Sequence, residues 1–168
     1  IAAGLALKRD RCAGCFDRFR NRLMIPIRDL QSNTIGFTGR VLPTADGSDP
    51  KDAKYVNTSQ TALYDKGGVV FALDKAKHEI KSKGFAVVVE GNMDAISSHQ
   101  AGVKNVVASS GTAFTAAQLG LLKRFCDRLT LSFDADAAGE QAVRRCIDVA
   151  VVAGFAVRVL RLPEGAGK

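Results

Sequence analysis

At 168 residues and 46% hydrophobic, the chain can bury one good core, or one domain with a smaller partner, and with no apolar run near 18 residues it is not expected to span a membrane. Lys and Arg number 24 against 17 acidic residues, a net charge of +7, and the excess gathers early: residues 1–28 hold seven basic side chains against Asp10 and Asp17. Such a block suits a polyanion, and it would equally suit a plain solvated face.

The opening AAGLAL is too short for a secretory signal, and its basic residues follow instead of preceding it. The start at Ile1, without a methionine, reads as a piece of something longer. Residues 8–15 are polar, contain Gly14, and read as a loop or hairpin tip. From Phe16 the stretch FDRFRNRLMIPI alternates, with Arg18, Arg20 and Arg22 on one parity, and reads as a strand; Pro26 argues for an edge position or a bulge. RDLQSN is a turn and TIGFTGRVL a returning strand, so this part is an antiparallel β unit. Residues 43–53 have the composition of a surface loop, and KYVNTS is a short strand.

From Gly68 the period lengthens. Val69, Leu73, Ala76 and Ile80 lie three to four apart among lysines, which predicts an amphipathic helix ended by Gly84. Strands at 85–90, 104–108, 129–133 and 155–161 then alternate with helices at 93–101, 116–126 and 138–153. Thr115 with Gln118 forms a capping box, and Gly102 and Gly154 fall where helices end. The alternation means βαβ units and a parallel sheet. The fold class is therefore α/β in residues 68–168, preceded by a small, mainly antiparallel β part in residues 1–67, and α+β overall.

Two of the strand runs carry the chemistry. FAVVVEGNMDA and LTLSFDADAAG each begin apolar and β-branched and stop at acids: Glu90 in one, Asp134 and Asp136 in the other. Strands this apolar are buried on both faces, and ligands of open α/β sheets bind outside the carboxyl ends of the strands. Asp134 and Asp136, two residues apart in an extended segment, point to one side, and clustered carboxylates repel unless a hard divalent cation joins them. Asp136 could instead serve only to cap the following helix.

Cys12 and Cys15 form a single CxxC with no second pair, so no zinc site is expected. Cys126 and Cys146 sit in helical patterns as small core residues, and nothing suggests a disulfide framework, which fits a cytoplasmic protein. His78 and His99 are lone histidines on helical segments. Ser109, Ser110, Gly111 and Thr112 make a turn whose N–H groups could touch phosphate or simply join strand to helix. Phe16 and Phe19 could stack bases, though core packing explains them as well. Without a P-loop or GxGxxG, an ATPase or dinucleotide enzyme is unsupported.

A strand-terminal Glu followed by a DxD pair resembles the Toprim domain shared by bacterial primases, topoisomerases and some nucleases. The stretches EGNMDAISSHQAGVKNVVASSGTAFTAAQLGLLKRF and LSFDADAAGEQA, with FDRFRNRLMIPIRD, IGFTGRVL, KYVNTS and DKG ahead of them, narrow this to the bacterial DNA primases (DnaG-type), from about Gly4 to Pro163. The resemblance implies the RNA polymerase core, a Toprim-type βαβ domain after a β subdomain, which makes short RNA primers on single-stranded DNA from ribonucleoside triphosphates.

By the same resemblance Glu90, Asp134 and Asp136 are the catalytic acids and hold Mg²⁺ (or Mn²⁺), with Asp94 one turn further on; Arg40, Lys54, Asn57 and Lys66 face the incoming nucleotide; and Arg18, Arg20 and Arg22 track the template. The implied partners are single-stranded DNA, nucleotides and the RNA primer, with the replicative helicase and single-stranded DNA-binding protein met through other parts of a full-length primase. A monomer at the bacterial replication fork is expected, with no membrane. Asn92 stands where the family commonly has Tyr, and Ala135 where Gly is common. The family also continues past LPEG into further acids, so a cut at Lys168 is inferred that would reduce activity. Two other readings stay open: a Toprim nuclease hydrolysing phosphodiesters, or a nucleic-acid-binding piece with an incomplete site.

Overall fold

The structure is a computed structural model that describes residues 2–9, 13–43, 53–109, 114–134 and 137–160. The chain divides into two compact units, Ile1–Lys66 and Gly67–Lys168.

The first unit is built from short antiparallel strands. β1 (Ala6–Lys8) pairs antiparallel with β2 (Cys15–Asp17); of the polar stretch between them, residues 10–12, Cys12 among them, lie outside the described residues. The single strand expected from Phe16 is instead two: β2 stops at Asp17, and β3 (Arg22–Arg28) begins after a bend. Asn21 causes the break, since its φ of +50° is left-handed and cannot continue an extended run. Alternation in the sequence cannot register one residue that turns the chain. Arg18 and Arg20 therefore lie in the bend, and only Arg22 is on a strand.

β3 pairs with β4 (Thr34–Val41), and β4 with β5 (Tyr55–Asn57), in the order β3-β4-β5. Pro26 sits on the edge strand β3, and a bulge follows between Ile27 and Arg28. The intervening turn is set by Asp29, whose Oδ1 accepts from the N–H groups of Gln31 (2.9 Å) and Asn33 (2.8 Å). Ile27, Thr38, Thr58 and Tyr64 are buried in this unit. The loop composition at 43–53 falls mostly outside the described residues.

The 3₁₀ turn Lys66–Gly68 begins on the last residue of the first unit, and the first helix of the second is α1 (Leu73–Lys83). The helix begins later than the spacing of Val69 suggests. Val70 and Phe71 are buried, and Phe71 exchanges main-chain hydrogen bonds with Ala108 (3.1 and 3.2 Å), so the chain is extended there until Ala72 turns it at φ +64°. Gly84 closes α1 in the left-handed region, its N–H on Ile80 O.

Then follow β6 (Ala86–Val89), α2 (Asn92–Gln100), β7 (Val106–Ala108), α3 (Ala116–Lys123), β8 (Arg128–Ser132), α4 (Ala137–Val152) and β9 (Ala156–Val159). All pairings are parallel, in the order β7-β6-β8-β9. Val88, Val107, Leu129 and Leu131 from the sheet, with Leu119, Leu122 and Ala150 from the helices, make the core. The architecture is α/β after an antiparallel β part. Cys146 is a core residue of α4, whereas the buried Cys126 falls just past the end of α3. No described helix is long and apolar enough to cross a membrane.

Candidate active site

The strand order creates the site. From β6 the chain crosses to β7 on one side, and from β8 to β9 on the other, so the connections part between β6 and β8. An open parallel sheet leaves its crevice at such a switch point, outside the carboxyl ends of the strands. Glu90 directly follows β6, Val89 pairs with Ser132, and Asp134 lies two residues beyond Ser132. Two carboxylates far apart in sequence thus leave adjacent strands, which run ~4.8 Å apart, at the same end. Glu90 is half-buried, Asp134 is exposed, and Asp136 lies outside the described residues. Among the described residues no three metal-ligating side chains cluster.

Each strand end also feeds a helix N-terminus, α2 from Asn92 and α4 from Ala137. The N-terminal end of a helix carries about half a positive charge and favours carboxylate or phosphate. Asp94 is taken into this end of α2: its Oδ2 accepts from Gly91 N–H at 3.0 Å. At the second strand end Gly139 matters. A Cβ there would run into the Asp134 carbonyl oxygen and lie 3.0 Å from its carbonyl carbon, so the first turn of α4 packs on the Asp134 backbone only because residue 139 has no side chain. The DxDxxG spacing carried this signal, although sequence reasoning used only its acids.

The remaining candidates fall as follows. Arg40 on β4 pairs with Tyr55 on β5, its guanidinium 6.0 Å from the ring centroid. Asn57 pairs with Thr38, so by strand alternation Thr38, Arg40, Tyr55 and Asn57 share one face. Lys54 is exposed just before β5, and Lys66 opens the 3₁₀ turn. Arg18 donates to Asn57 O (2.9 Å), Arg22 to Ala53 O (2.7 Å) and Gly39 O (3.2 Å), and Arg20 lies 5.5 Å over the Phe16 ring. Phe19 covers Gly39, where a Cβ would come within 2.7 Å of its ring. His99 bonds Val106 O through Nε2 (2.8 Å), a structural use, and His78 is exposed. Ser109 is buried, and residues 110–113 of the following turn are outside the described set. Burial pushes the Cys146 thiol up to about 11 and raises that of Cys126, so neither is an activated nucleophile.

Sequence reasoning saw the capping box of α3 but not what its spare groups do. Thr115 Oγ1 accepts from Gln118 N–H (3.1 Å) and donates to Gly67 O (2.6 Å), while buried Gln118 accepts from Thr115 N–H (2.9 Å) and donates to Val69 O (2.7 Å).

A parallel sheet whose switch point carries Glu90 and Asp134 on adjacent strands is a Toprim-like arrangement, and the Toprim-like profile matches residues 87–168. The profile of the DNA primase catalytic core, N-terminal domain, matches residues 1–77. The chain belongs to the bacterial DNA primase family. A DNA primase of Synechococcus elongatus is 46% identical over 169 residues, covering 97% of this chain and 24% of its own length. The crystal structure of the Aquifex aeolicus primase (zinc-binding and RNA polymerase domains) superposes with a TM-score of 0.88 at 35% identity, over 98% of this chain and 39% of that one. A DnaG primase catalytic domain bound to single-stranded DNA gives 0.83 at 35% identity, over 98% and 50%. The chain thus spans about a quarter of the length of the curated relative.

Proposed function

We propose that this chain is the catalytic-core segment of a primase, a nucleotidyltransferase that joins ribonucleotides into a short RNA primer on single-stranded DNA. The observation that carries the reading is Glu90 and Asp134 leaving neighbouring parallel strands at the switch point of the sheet. In this reading residues 1–67 are the β subdomain of the polymerase core and residues 68–168 its Toprim domain.

The site suits a hard divalent cation, Mg²⁺ or Mn²⁺. Such ions take oxygen ligands, keep several waters, and are held by one or two carboxylates together with substrate phosphates. Glu90, Asp134 and Asp136 would hold it, with Asp94 beside them. Bound there, the cation neutralises triphosphate charge and stabilises the charge that develops in the phosphoryl displacement. The chain's own groups bind and orient. Arg40, Lys54, Asn57 and Lys66 hold the triphosphate and sugar, Arg through a planar fork and Lys as a point charge. The N-termini of α2 and α4 favour the same negative charge. Of Arg18, Arg20 and Arg22, the arginines expected to track the template, Arg20 is the most open and is the one assigned to the template phosphates. The primase acts as a monomer in the bacterial cytoplasm at the replication fork, and meets the helicase and single-stranded DNA-binding protein through its other parts.

The test is binding of a ribonucleoside triphosphate to this chain with and without Mg²⁺ or Mn²⁺, repeated on Asp134→Asn and Glu90→Gln. Binding should require the cation and weaken about tenfold or more in either variant. Cation-independent binding that ignores both substitutions would sink the reading. Hydrolysis of single-stranded DNA by the native chain, abolished in Asp134→Asn, would mark a nuclease instead.

A further inference from the structure

We infer that Arg18 and Arg22 are positioning residues that hold β5, and with it Lys54 and Asn57, in place for the nucleotide; this rests on the reading of Lys54 and Asn57 given above. β5 is only three residues long and is an edge strand, paired with β4 at Thr38↔Asn57, Gly39↔Val56 and Arg40↔Tyr55. An edge strand this short has little ladder of its own to keep its side chains aimed. Both of its ends are gripped from outside the ladder. Arg22 Nη1 donates to Ala53 O (2.7 Å), just ahead of Lys54, and to Gly39 O on β4 (3.2 Å), so one guanidinium ties the two strands. Arg18 Nε donates to Asn57 O (2.9 Å), at the far end of β5.

The bend between β2 and β3 makes this reach possible. On one continuous strand Arg18, Arg20 and Arg22 would share a face. The left-handed Asn21 breaks that alternation, and the bend is pinned where Arg18 N–H meets Leu5 O (2.9 Å) and Asn21 O accepts from Leu42 N–H (3.1 Å). Phe19, seated over Gly39, presses the same bend onto β4. Charge-assisted bonds to main-chain carbonyl groups are strong, and both Arg22 bonds leave from the one nitrogen Nη1, which lies one bond further along the side chain than a lysine Nζ.

The experiment compares Arg18→Met, Arg22→Met and Arg22→Lys in this chain, each confirmed folded by circular dichroism. Three quantities are read: Mn²⁺-dependent ribonucleoside triphosphate affinity without DNA, the salt dependence of single-stranded DNA binding, and hydrogen exchange of the Val41 and Thr58 amides, which bond across β4 and β5. All three variants should lose roughly fivefold or more in nucleotide affinity, Arg22→Lys included, with faster amide exchange and an unchanged salt slope. In a Lys54→Ala background Arg22→Met should add little, because the two act through one strand. Unchanged nucleotide affinity with a salt slope shallower by about 0.7 would make these arginines template contacts and overturn the inference. Full recovery of nucleotide affinity in Arg22→Lys while the Val41 and Thr58 amides still exchange fast would overturn it too, by showing that charge alone matters. If Lys54→Ala leaves nucleotide affinity intact, the nucleotide reading of Lys54 fails by itself; amide exchange then decides the brace, and unchanged protection refutes it.

Discussion

Replacing Gly139 with Ala tests how Asp134 is held. Within a helix this change normally stabilises by up to about 1 kcal/mol, because alanine restricts the unfolded chain and has the higher helix propensity. Here the added methyl would meet the Asp134 carbonyl oxygen and sit 3.0 Å from its carbonyl carbon, against an ordinary contact of 3.4–4 Å. Neither atom is the end of a flexible side chain, so the first turn of α4 or the Asp134 backbone must shift. Overpacking of this kind costs roughly 1–3 kcal/mol, leaving a net loss of up to about 2 kcal/mol, or up to roughly 4–8 °C in unfolding midpoint. Gly120→Ala is the internal control: it lies in α3 with nothing within 4 Å of a new Cβ, and should gain about 0.5–1 kcal/mol. Urea unfolding followed by circular dichroism measures both, and nucleotide titration with Mn²⁺ should show weakened binding in Gly139→Ala alone. If the two variants shift stability in the same upward direction, the close approach of α4 to Asp134 is not what residue 139 serves.

Two further outcomes follow from buried groups. Gln118→Leu strands the Val69 carbonyl and the Thr115 N–H that the buried amide now satisfies, and should lower unfolding free energy by about 2–4 kcal/mol, measured by urea titration. A Gln118→Leu chain as stable as the parent would mean that water replaces both bonds. Stability should also fall in alkali. Burial holds the Cys146 proton in the folded chain up to about 11, while an ordinary cysteine releases it near 9.0, so this contribution is complete below pH 9 and is lost as pH climbs towards 11. Cys126 and Tyr64, both raised chiefly by burial, act in the same direction. Urea midpoints from pH 8 to 10.5 should decline, less steeply in Cys146→Ala, and a thiol reagent should label exposed Cys15 well before either buried cysteine.

Much of the second unit was legible from local pattern. Runs such as FAVVV and LTLS read as buried strands, lysine-flanked apolar spacing as helix, and Thr115 with Gln118 as a cap, because each signal lies within one turn or one strand of chain. The acids were visible too, as abrupt stops to apolar runs. What local pattern could not show was an effect that depends on a single dihedral or a distant partner. Asn21 turned one expected strand into two, and Phe71 became an extended partner of Ala108 where the spacing suggested helix. The arginine parity that looked like one basic face became two guanidinium groups bonded to carbonyls and one over a ring.

The sequence by itself determined the class of each element, the α/β alternation, and the identity of the candidate acids, since periodicity and turn chemistry are properties of neighbouring residues. Only the tertiary structure decided that β6 lies beside β8, and hence that Glu90 and Asp134 leave adjacent strands at one end of the sheet. Strand order depends on which crossovers best bury both faces of the sheet, and that is a property of the packed whole.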